Sequence, residues 1–376
     1  MKKLKVMTII GTRPDIIKLS EIIKKCDLYF DHILVHTGQN YDYTLNKIFF
    51  EDLQLREPDF YLNVAGENLG HTMGNIISSS YDLMLEEKPD AVLVLGDTNS
   101  SLCILPAKRL KIPIFHLEAG NRCFDENLPE EINRRIVDHT SDVNLCYTEH
   151  ARRYLYAEGI KKEFTYVVGS PMAEVFCRHM GEIHGSKILE RLELEPGKYI
   201  LLSAHREENI DIERNFTELM SAINKMAEHY CLPVIYSTHP RSRKFIEQRN
   251  YRFHQLVRCL EPFGFFDYIQ LQRNAFCVVS DSGTLPEETA YFKFPAVSIR
   301  TSTERPEAMD KGNFIIGSIS ADNVVQAVDL AVEMNRNEDF GINVPDYEDQ
   351  NVSTKVVKII QSYTAIVNRM SWRKSI

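Results

Sequence analysis

Apolar residues along this chain come in short, nearly continuous runs. "KVMTII", "HILVHTG", "DAVLVLGD", "IPIFHLEAG" and "DVNLCYT" each end in a polar turn and precede a stretch with helical spacing, such as "GTRPDIIKLSEIIKKC". Such runs, β-branched and uniformly apolar, are expected of parallel strands covered on both faces. The alternation predicts a doubly wound α/β domain. Past residue 170 the pattern restarts with "YILLSAH", "PVIYSTH" and "FCVVSDSG", and no sequence repeat relates the halves. We therefore expect two Rossmann-like domains, 1–170 and 171–353, joined near "GSPMAEVF". A last helical stretch, 354–370, suits either domain and is assigned to the first.

In open parallel sheets, ligands bind beyond the carboxyl ends of the strands. Those ends read "GTRP", "HTGQN", "GDTN", "EAGNR", "SAHREEN", "STHP" and "SDSG", and they hold the unusual polar clusters of the chain. Two lobes with these ends facing each other would enclose a cleft.

Composition narrows the chemistry. A chain of 376 residues suits two domains. Lysine and arginine total 44 against 53 acids, a net charge of −9, which argues against a general nucleic-acid or membrane-surface binder. An anionic ligand must then be met by a local basic cluster. The eight cysteines include no Cys-x-x-Cys pair and read as buried thiols in a reducing compartment. With no membrane-length apolar run and no cleavage site after "MKKLKVMTII", the expected location is the cytoplasm. No two of the 17 glycines are separated by one residue, so a Gly-x-Gly-x-x-Gly loop is absent. Walker A, His-Glu-x-x-His and Gly-x-Ser-x-Gly are absent as well, which disfavours a nicotinamide enzyme, a P-loop kinase, a zincin and a serine hydrolase.

Several residues remain as candidates. Arg13 and Lys18 lie at a helix start after a strand, where backbone N–H groups favour a phosphate. Ser282, Gly283 and Thr284 offer hydroxyls and N–H groups to a diphosphate, and Glu288, a turn later, suits a ribose. A plain capped helix would carry the same signature. His205 sits at a strand end beside Arg206, "TSTERPE" adds Arg305, and "EPFGFFDY" offers Tyr268 for stacking on a base. "LEAGNRCFDENLPEEINRR", residues 117–135, packs five carboxylates and three arginines into nineteen positions. Its Glu118 and Glu130, with Asp97 in "LGDTN", lie at strand ends or a helix start, as general acid–base groups would. Glu131 reads instead as a structural partner for Arg122, Arg134 or Arg135.

In order along both halves, "GTRPDIIK", "GDTNS", "HLEAGNR", "PEEINRR", "HREEN", "SDSGTLPEE" and "TERPE" closely resemble the non-hydrolysing UDP-N-acetylglucosamine 2-epimerase family. The resemblance implies a GT-B-like fold, a UDP-sugar bound in an interdomain cleft, and inversion at carbon 2 of an N-acetylamino sugar. It implies a homodimer, no nicotinamide cofactor and no essential metal. Arg13, Lys18, His205, Ser282, Gly283, Thr284, Glu288 and Arg305 would hold UDP, with Tyr268 near the uracil. Asp97, Glu118, Glu130 and His205 match the catalytic positions.

Two departures refine this. The usual Ser-Gly-Gly turn is Ser-Gly-Thr, and the segment that helps bind an activating UDP-sugar is replaced by "GQNYDYTLN". With "AGNRCFDENLPEEINRR", these features resemble the capsule and O-antigen branch, which converts UDP-2-acetamido-2,6-dideoxy-L-talose to UDP-N-acetyl-L-fucosamine. UDP-N-acetylglucosamine/UDP-N-acetylmannosamine epimerisation is the alternative. A retaining GT-B glycosyltransferase would share the fold and the UDP site, and a silent UDP-sugar sensor would bind without turnover.

Overall fold

The computed structural model describes residues 2–38 and 47–374. Most of "GQNYDYTLN", residues 39–46, lies outside the described residues. The chain divides into two compact units, Met1–Arg178 with Pro345–Ile376, and His179–Val344. The sequence pattern puts the breaks after 170 and 353, whereas the units divide after Arg178 and after Val344.

In the first unit, strands β1 (Lys5–Ile10), β2 (Asp31–His36), β3 (Phe60–Tyr61), β4 (Ala91–Leu95), β5 (Ile114–Leu117), β6 (Val143–Cys146) and β7 (Thr165–Val167) form one parallel sheet. Their order is β3-β2-β1-β4-β5-β6-β7. On one face, Met7, Ile9, Val92, Val94 and Ile114 pack with Ile76, Leu83 and Met84 of the helix Leu69–Glu87. The helix Arg13–Tyr29 buries Ile16, Leu19, Ile22, Ile23 and Cys26, an apolar stripe at helical spacing. Against this helix lies the C-terminal helix Val352–Met370, tied in by Lys25 Nζ donating to Thr354 Oγ1 at 2.7 Å. At its start, Ser353 N donates to the buried Glu174 at 2.8 Å. These contacts account for the return of the chain terminus to the first unit.

In the second unit, β8 (Ile200–Ser203), β9 (Val234–Ser237), β10 (Val257–Leu260), β11 (Cys277–Ser280), β12 (Ala296–Ser298) and β13 (Ile315–Ile316) form a parallel sheet ordered β10-β9-β8-β11-β12-β13. The helices Glu213–Tyr230 and Ala321–Arg336 bury Phe216, Leu219, Ile223, Val324 and Val328 against its strands. Both units are α/β with parallel sheets, the fold class expected.

Strand order reverses at the β1/β4 pair in the first unit and at the β8/β11 pair in the second. Open sheets bind ligands outside the carboxyl ends of the strands at such switch points. The candidate residues Arg13, Asp97, His205 and Ser282 follow these four strands.

The thiol expectation holds only in part. Cys26, Cys103, Cys146 and Cys277 are buried in strands or helices, whereas Cys177, Cys231 and Cys259 are exposed. No helix among the described residues is long and apolar enough to cross a membrane.

Candidate active site

The turn after β1 is built for close approach. A methyl group on Gly11 would lie 1.9 Å from Ser100 Oγ and 2.3 Å from Thr37 Oγ1, so a side chain there would displace both hydroxyls. Those two hydroxyls bond each other at 2.8 Å, drawing together the ends of β1, β2 and β4. Thr12 then opens the helix Arg13–Tyr29 with Pro14 in its first turn. Arg13 is half-buried, its guanidinium 5.8 Å from the centre of the Phe49 ring. Asp15 accepts hydrogen bonds from the backbone N–H groups of Gly11 and Thr12, both at 3.0 Å. Burial nevertheless dominates and pushes its carboxyl up to about 7.

Lys18, one turn into that helix, reaches the end of β5. Its Nζ lies 2.6 Å from Glu118 Oε2, and both side chains are buried. The Tyr147 ring lies 5.8 Å from the same ammonium, and Asn121 Nδ2 donates to Glu118 Oε1 at 3.3 Å. Glu118 has a left-handed backbone, φ +68°, a strained conformation for a residue other than glycine. A methyl group on Gly96 would come within 3.9 Å of Glu118 Cδ, so the Glu118 carboxylate sits beside the Gly96–Asp97 turn.

Asp97 is held by the helix Pro129–Thr140. Arg134 directs Nη2 and Nε onto Asp97 Oδ2 at 2.6 and 2.7 Å, and Asn133 donates to the Asp97 carbonyl at 2.9 Å. Glu131 is fully buried and accepts from the backbone N–H groups of Cys123 and Phe124 and from Arg134. Burial alone would raise its pKa, but these donors hold it below the ordinary carboxylate value. Its role is structural, as expected. Glu130, beside it in the first helical turn, is half-buried. The structure thus brings Lys18 and Glu118 together beside the turn that carries Asp97; Arg13 shares the helix of Lys18, and Glu130 shares the helix whose Arg134 holds Asp97.

A second cluster occupies the switch point of the second unit. Asp281, at the end of β11, is fully buried and accepts at Oδ2 from the backbone N–H groups of His205 and Arg206, both 2.9 Å, and from Asn209 Nδ2 at 3.1 Å. His205 Nδ1 lies 3.2 Å from its Oδ1. Burial works against the charged form of Asp281, yet the His205 contact and the N–H donors hold the carboxyl far below its usual range. The His205 ring lies beside Asp281, about a third exposed and 5.7 Å from the His239 ring.

Ser282, Gly283 and Thr284 follow. Ser282 Oγ and Thr284 Oγ1 bond at 3.0 Å, and Thr284 Oγ1 donates to Glu288 Oε1 at 2.7 Å. The other oxygen of Glu288 accepts from Gln272 Nε2 at 2.6 Å. Gln272 is one helical turn beyond Tyr268 on the helix Phe265–Arg273, so that helix and the helix Leu285–Phe292 are joined at Glu288. A methyl group on Gly283 would meet Glu304 Oε1 at 2.8 Å, and Glu304 in turn pairs with Arg300 at 2.7 Å. Arg305, buried, lies 3.5 Å from Glu287. Ser282, Gly283, Thr284 and Glu288 therefore form one connected group, with His205 brought to it through Asp281.

Asp15, Gln272 and Asp281 are organising residues that local sequence patterns do not single out, and Arg134, expected to pair with Glu131, also holds Asp97. Asp281 carried the clearest available signal, an acid directly between an apolar strand and a Ser-Gly turn. Among the described residues, no group of three or more histidine, cysteine or acidic side chains is arranged to hold a metal ion.

Comparison with known proteins places this architecture. The UDP-N-acetylglucosamine 2-epimerase family model matches residues 24–361. The structure of UDP-N-acetylglucosamine 2-epimerase from Rickettsia bellii is 46% identical, with a TM-score of 0.91, over 99% of this chain and all of that one. The Methanocaldococcus jannaschii UDP-GlcNAc 2-epimerase, solved in complex with UDP-GlcNAc and UDP, is 32% identical with a TM-score of 0.89, covering 95% and 99% of the two chains. A Pseudomonas aeruginosa UDP-2,3-diacetamido-2,3-dideoxy-D-glucuronate 2-epimerase is 34% identical over 86% of this chain and 91% of its own. The chain belongs to the UDP-N-acetylglucosamine 2-epimerase family, whose members are non-hydrolysing isomerases.

Proposed function

We propose that this protein inverts carbon 2 of a UDP-N-acetylamino sugar by eliminating UDP and adding it back. The Glu118 carboxylate lying beside the turn that carries Asp97 is the observation that carries this reading. A carboxylate removes the proton from carbon 2, the C–H electrons form the C1–C2 double bond, and the C1–O bond breaks to release UDP. UDP oxygen then re-forms the bond to C1 while carbon 2 takes a proton on its opposite face. The departure of UDP is what makes the carbon-2 proton removable, because the anomeric carbon becomes oxocarbenium-like.

Asp97, Glu118, Glu130 and His205 are the proposed catalytic groups. Asp97 is held by an arginine, which does not give up its proton, and so suits a fixed negative charge near the anomeric carbon. Glu118 is paired with a lysine, which can exchange its proton, and so suits proton transfer. His205, beside Asp281, suits protonation of the departing phosphate oxygen or a contact to it. For UDP, Ser282, Gly283, Thr284, Arg13 and Arg305 are proposed to meet the diphosphate, Glu288 the ribose and Tyr268 the uracil. Lys18, which the resemblance assigns to UDP, is proposed to serve the phosphate from its place against Glu118. The working form is proposed to be a homodimer.

The preferred substrate in this reading is UDP-2-acetamido-2,6-dideoxy-L-talose, giving UDP-N-acetyl-L-fucosamine. Its support is the likeness of "AGNRCFDENLPEE" and "SDSGT" to the capsule and O-antigen branch. UDP-N-acetylglucosamine is the second reading, favoured by the 46% identity to the Rickettsia bellii protein of that name. A pocket shaped for the 6-methyl group rejects a 6-hydroxyl weakly, whereas a site that hydrogen-bonds the hydroxyl rejects the methyl strongly. Measuring kcat/KM for both compounds, with no acceptor present, separates the two. Faster turnover of the L-talose derivative supports the first, and equal or faster turnover of UDP-N-acetylglucosamine replaces it with the second.

A further inference from the structure

Beneath the two acid-bearing turns lies a buried group that has no proposed contact with substrate. His116, the third residue of β5, points Nε2 at the carbonyl oxygen of Gly96, 3.0 Å away. That carbonyl belongs to the peptide leading into Asp97. A carbonyl only accepts, so Nε2 carries the hydrogen. The other ring nitrogen, Nδ1, lies 2.9 Å from Asp138 Oδ1. Both side chains are almost completely inaccessible.

Asp138 in turn holds the second turn. The N–H of Gly120 donates to both of its oxygens, at 3.1 and 3.2 Å. Arg122 Nη1 donates to Asp138 Oδ2 and to the Asn121 carbonyl, both at 2.7 Å, while its Nε and Nη2 bind Glu158 at 2.8 and 2.7 Å. Gly120 is left-handed, φ +83°, and a side chain there would strike Ala151 O at 2.4 Å. Glu118, two residues earlier, is left-handed as well, and in a residue other than glycine such strain persists only where surrounding contacts over-determine it. Asp138 supplies those contacts.

The same helix, Pro129–Thr140, carries Glu130, Arg134 and Asp138 at successive intervals of four, along one face. Arg134 fixes the Asp97 side chain, Asp138 fixes the Gly120 end of the Glu118 turn, and His116, whose ring packs against Asp138 at 2.9 Å without a hydrogen bond, donates to the Gly96 carbonyl. We infer that Asp138 and His116 are positioning residues, which set the Asp97 turn and the Glu118 turn in register for proton transfer. This rests on the proposal that Asp97 and Glu118 act on the sugar.

Misplacement of a reacting group by about 1 Å costs on the order of 100-fold in rate. The test compares Asp138→Asn, His116→Gln and His116→Leu with the parent enzyme, using whichever of the two UDP-sugars the parent turns over faster. Turnover is expressed per folded protein, with folding checked by thermal melting and UDP affinity by calorimetry. Asp138→Asn is expected to lower kcat about 10- to 100-fold while leaving KM and UDP affinity near the parent's. Glutamine at 116 keeps a donor for the Gly96 carbonyl and is expected to retain most of the rate that leucine loses. If the Asp138 variant does not fold, the His116 pair alone decides. Parent-like kcat in folded Asp138→Asn, or equal rates for the two His116 variants, would overturn the inference. Glu118→Gln run alongside separates the two levels. If it is inactive while Asp138→Asn is unimpaired, positioning alone fails, whereas full activity of Glu118→Gln overturns the underlying assignment too.

Discussion

Lys18 Nζ and Glu118 Oε2 lie 2.6 Å apart although 100 residues separate them in the chain, and neither is more than a tenth exposed. The contact joins the first helix to the turn that carries the strained acid. Removing one partner of a buried pair leaves an uncompensated charge, a loss of roughly 3–5 kcal/mol. Lys18→Met should therefore destabilise the fold by about this amount in chemical denaturation. Adding Glu118→Gln should recover much of that stability, because the stranded charge is gone, but should leave turnover abolished. Recovery of turnover in the double variant would remove Glu118 from the chemistry.

Chemistry and nucleotide binding should separate by position. Asp97→Asn and Glu130→Gln keep side-chain size and are expected to cut turnover by about 100-fold or more. UDP affinity should stay near the parent's. Arg13→Ala and Arg305→Ala should each weaken UDP by about 1.5–3 kcal/mol, the worth of a hydrogen bond to a charged group. Calorimetry with UDP on all four variants decides. Acid variants that lose UDP as severely as the arginine variants would collapse the partition.

Asp15 sets a pH dependence of stability. Its carboxyl titrates near 7 in the folded chain because burial disfavours the charge, against about 4 when unfolded. A carboxyl raised on folding binds its proton more tightly in the native state. Below pH 4 it is neutral in both states and has no effect. Between about pH 4 and 7 the unfolded state ionises first, so stability falls as pH rises, and the full loss is present above 7. Asp15→Asn cannot ionise, so its stability relative to the parent should improve from pH 5 to pH 8. A difference that stays flat across this range in urea denaturation would contradict the burial argument.

The Glu288 carboxylate is held between Thr284 and Gln272, which leaves its orientation dependent on both. Gln272→Leu removes one donor without touching the diphosphate turn. UDP affinity should fall, while 2′-deoxy-UDP, lacking a hydroxyl for Glu288, should be affected less. Equal losses for the two nucleotides in calorimetry would place Glu288 away from the ribose.

Much of this was legible in the sequence, and the gaps have physical causes. β1, β4, β8 and β11 stand out because buried central strands must be apolar on both faces, and the switch-point turns that follow them are visible as polar clusters. β10 escaped because "VRCL" lies at the sheet edge and is only partly buried, and β13 is two residues long. The helix Leu69–Glu87 carries Gly70, Gly74 and three successive serines, so its local signal is weak, and packing of Ile76, Leu83 and Met84 makes it helical. Asp281 and Asp138 act through partners distant in the chain, 76 residues to His205 and 18 to Gly120, which no local pattern reports.

The most direct test of the central claim is to run the reaction in deuterated water with the better of the two UDP-sugars and examine carbon 2 of the product by NMR. Elimination and re-addition pass through a species with no hydrogen on that carbon. The returning proton comes from groups that exchange with solvent, so the epimerised product should carry deuterium at carbon 2. Full retention of the original hydrogen in the epimerised product would contradict the mechanism.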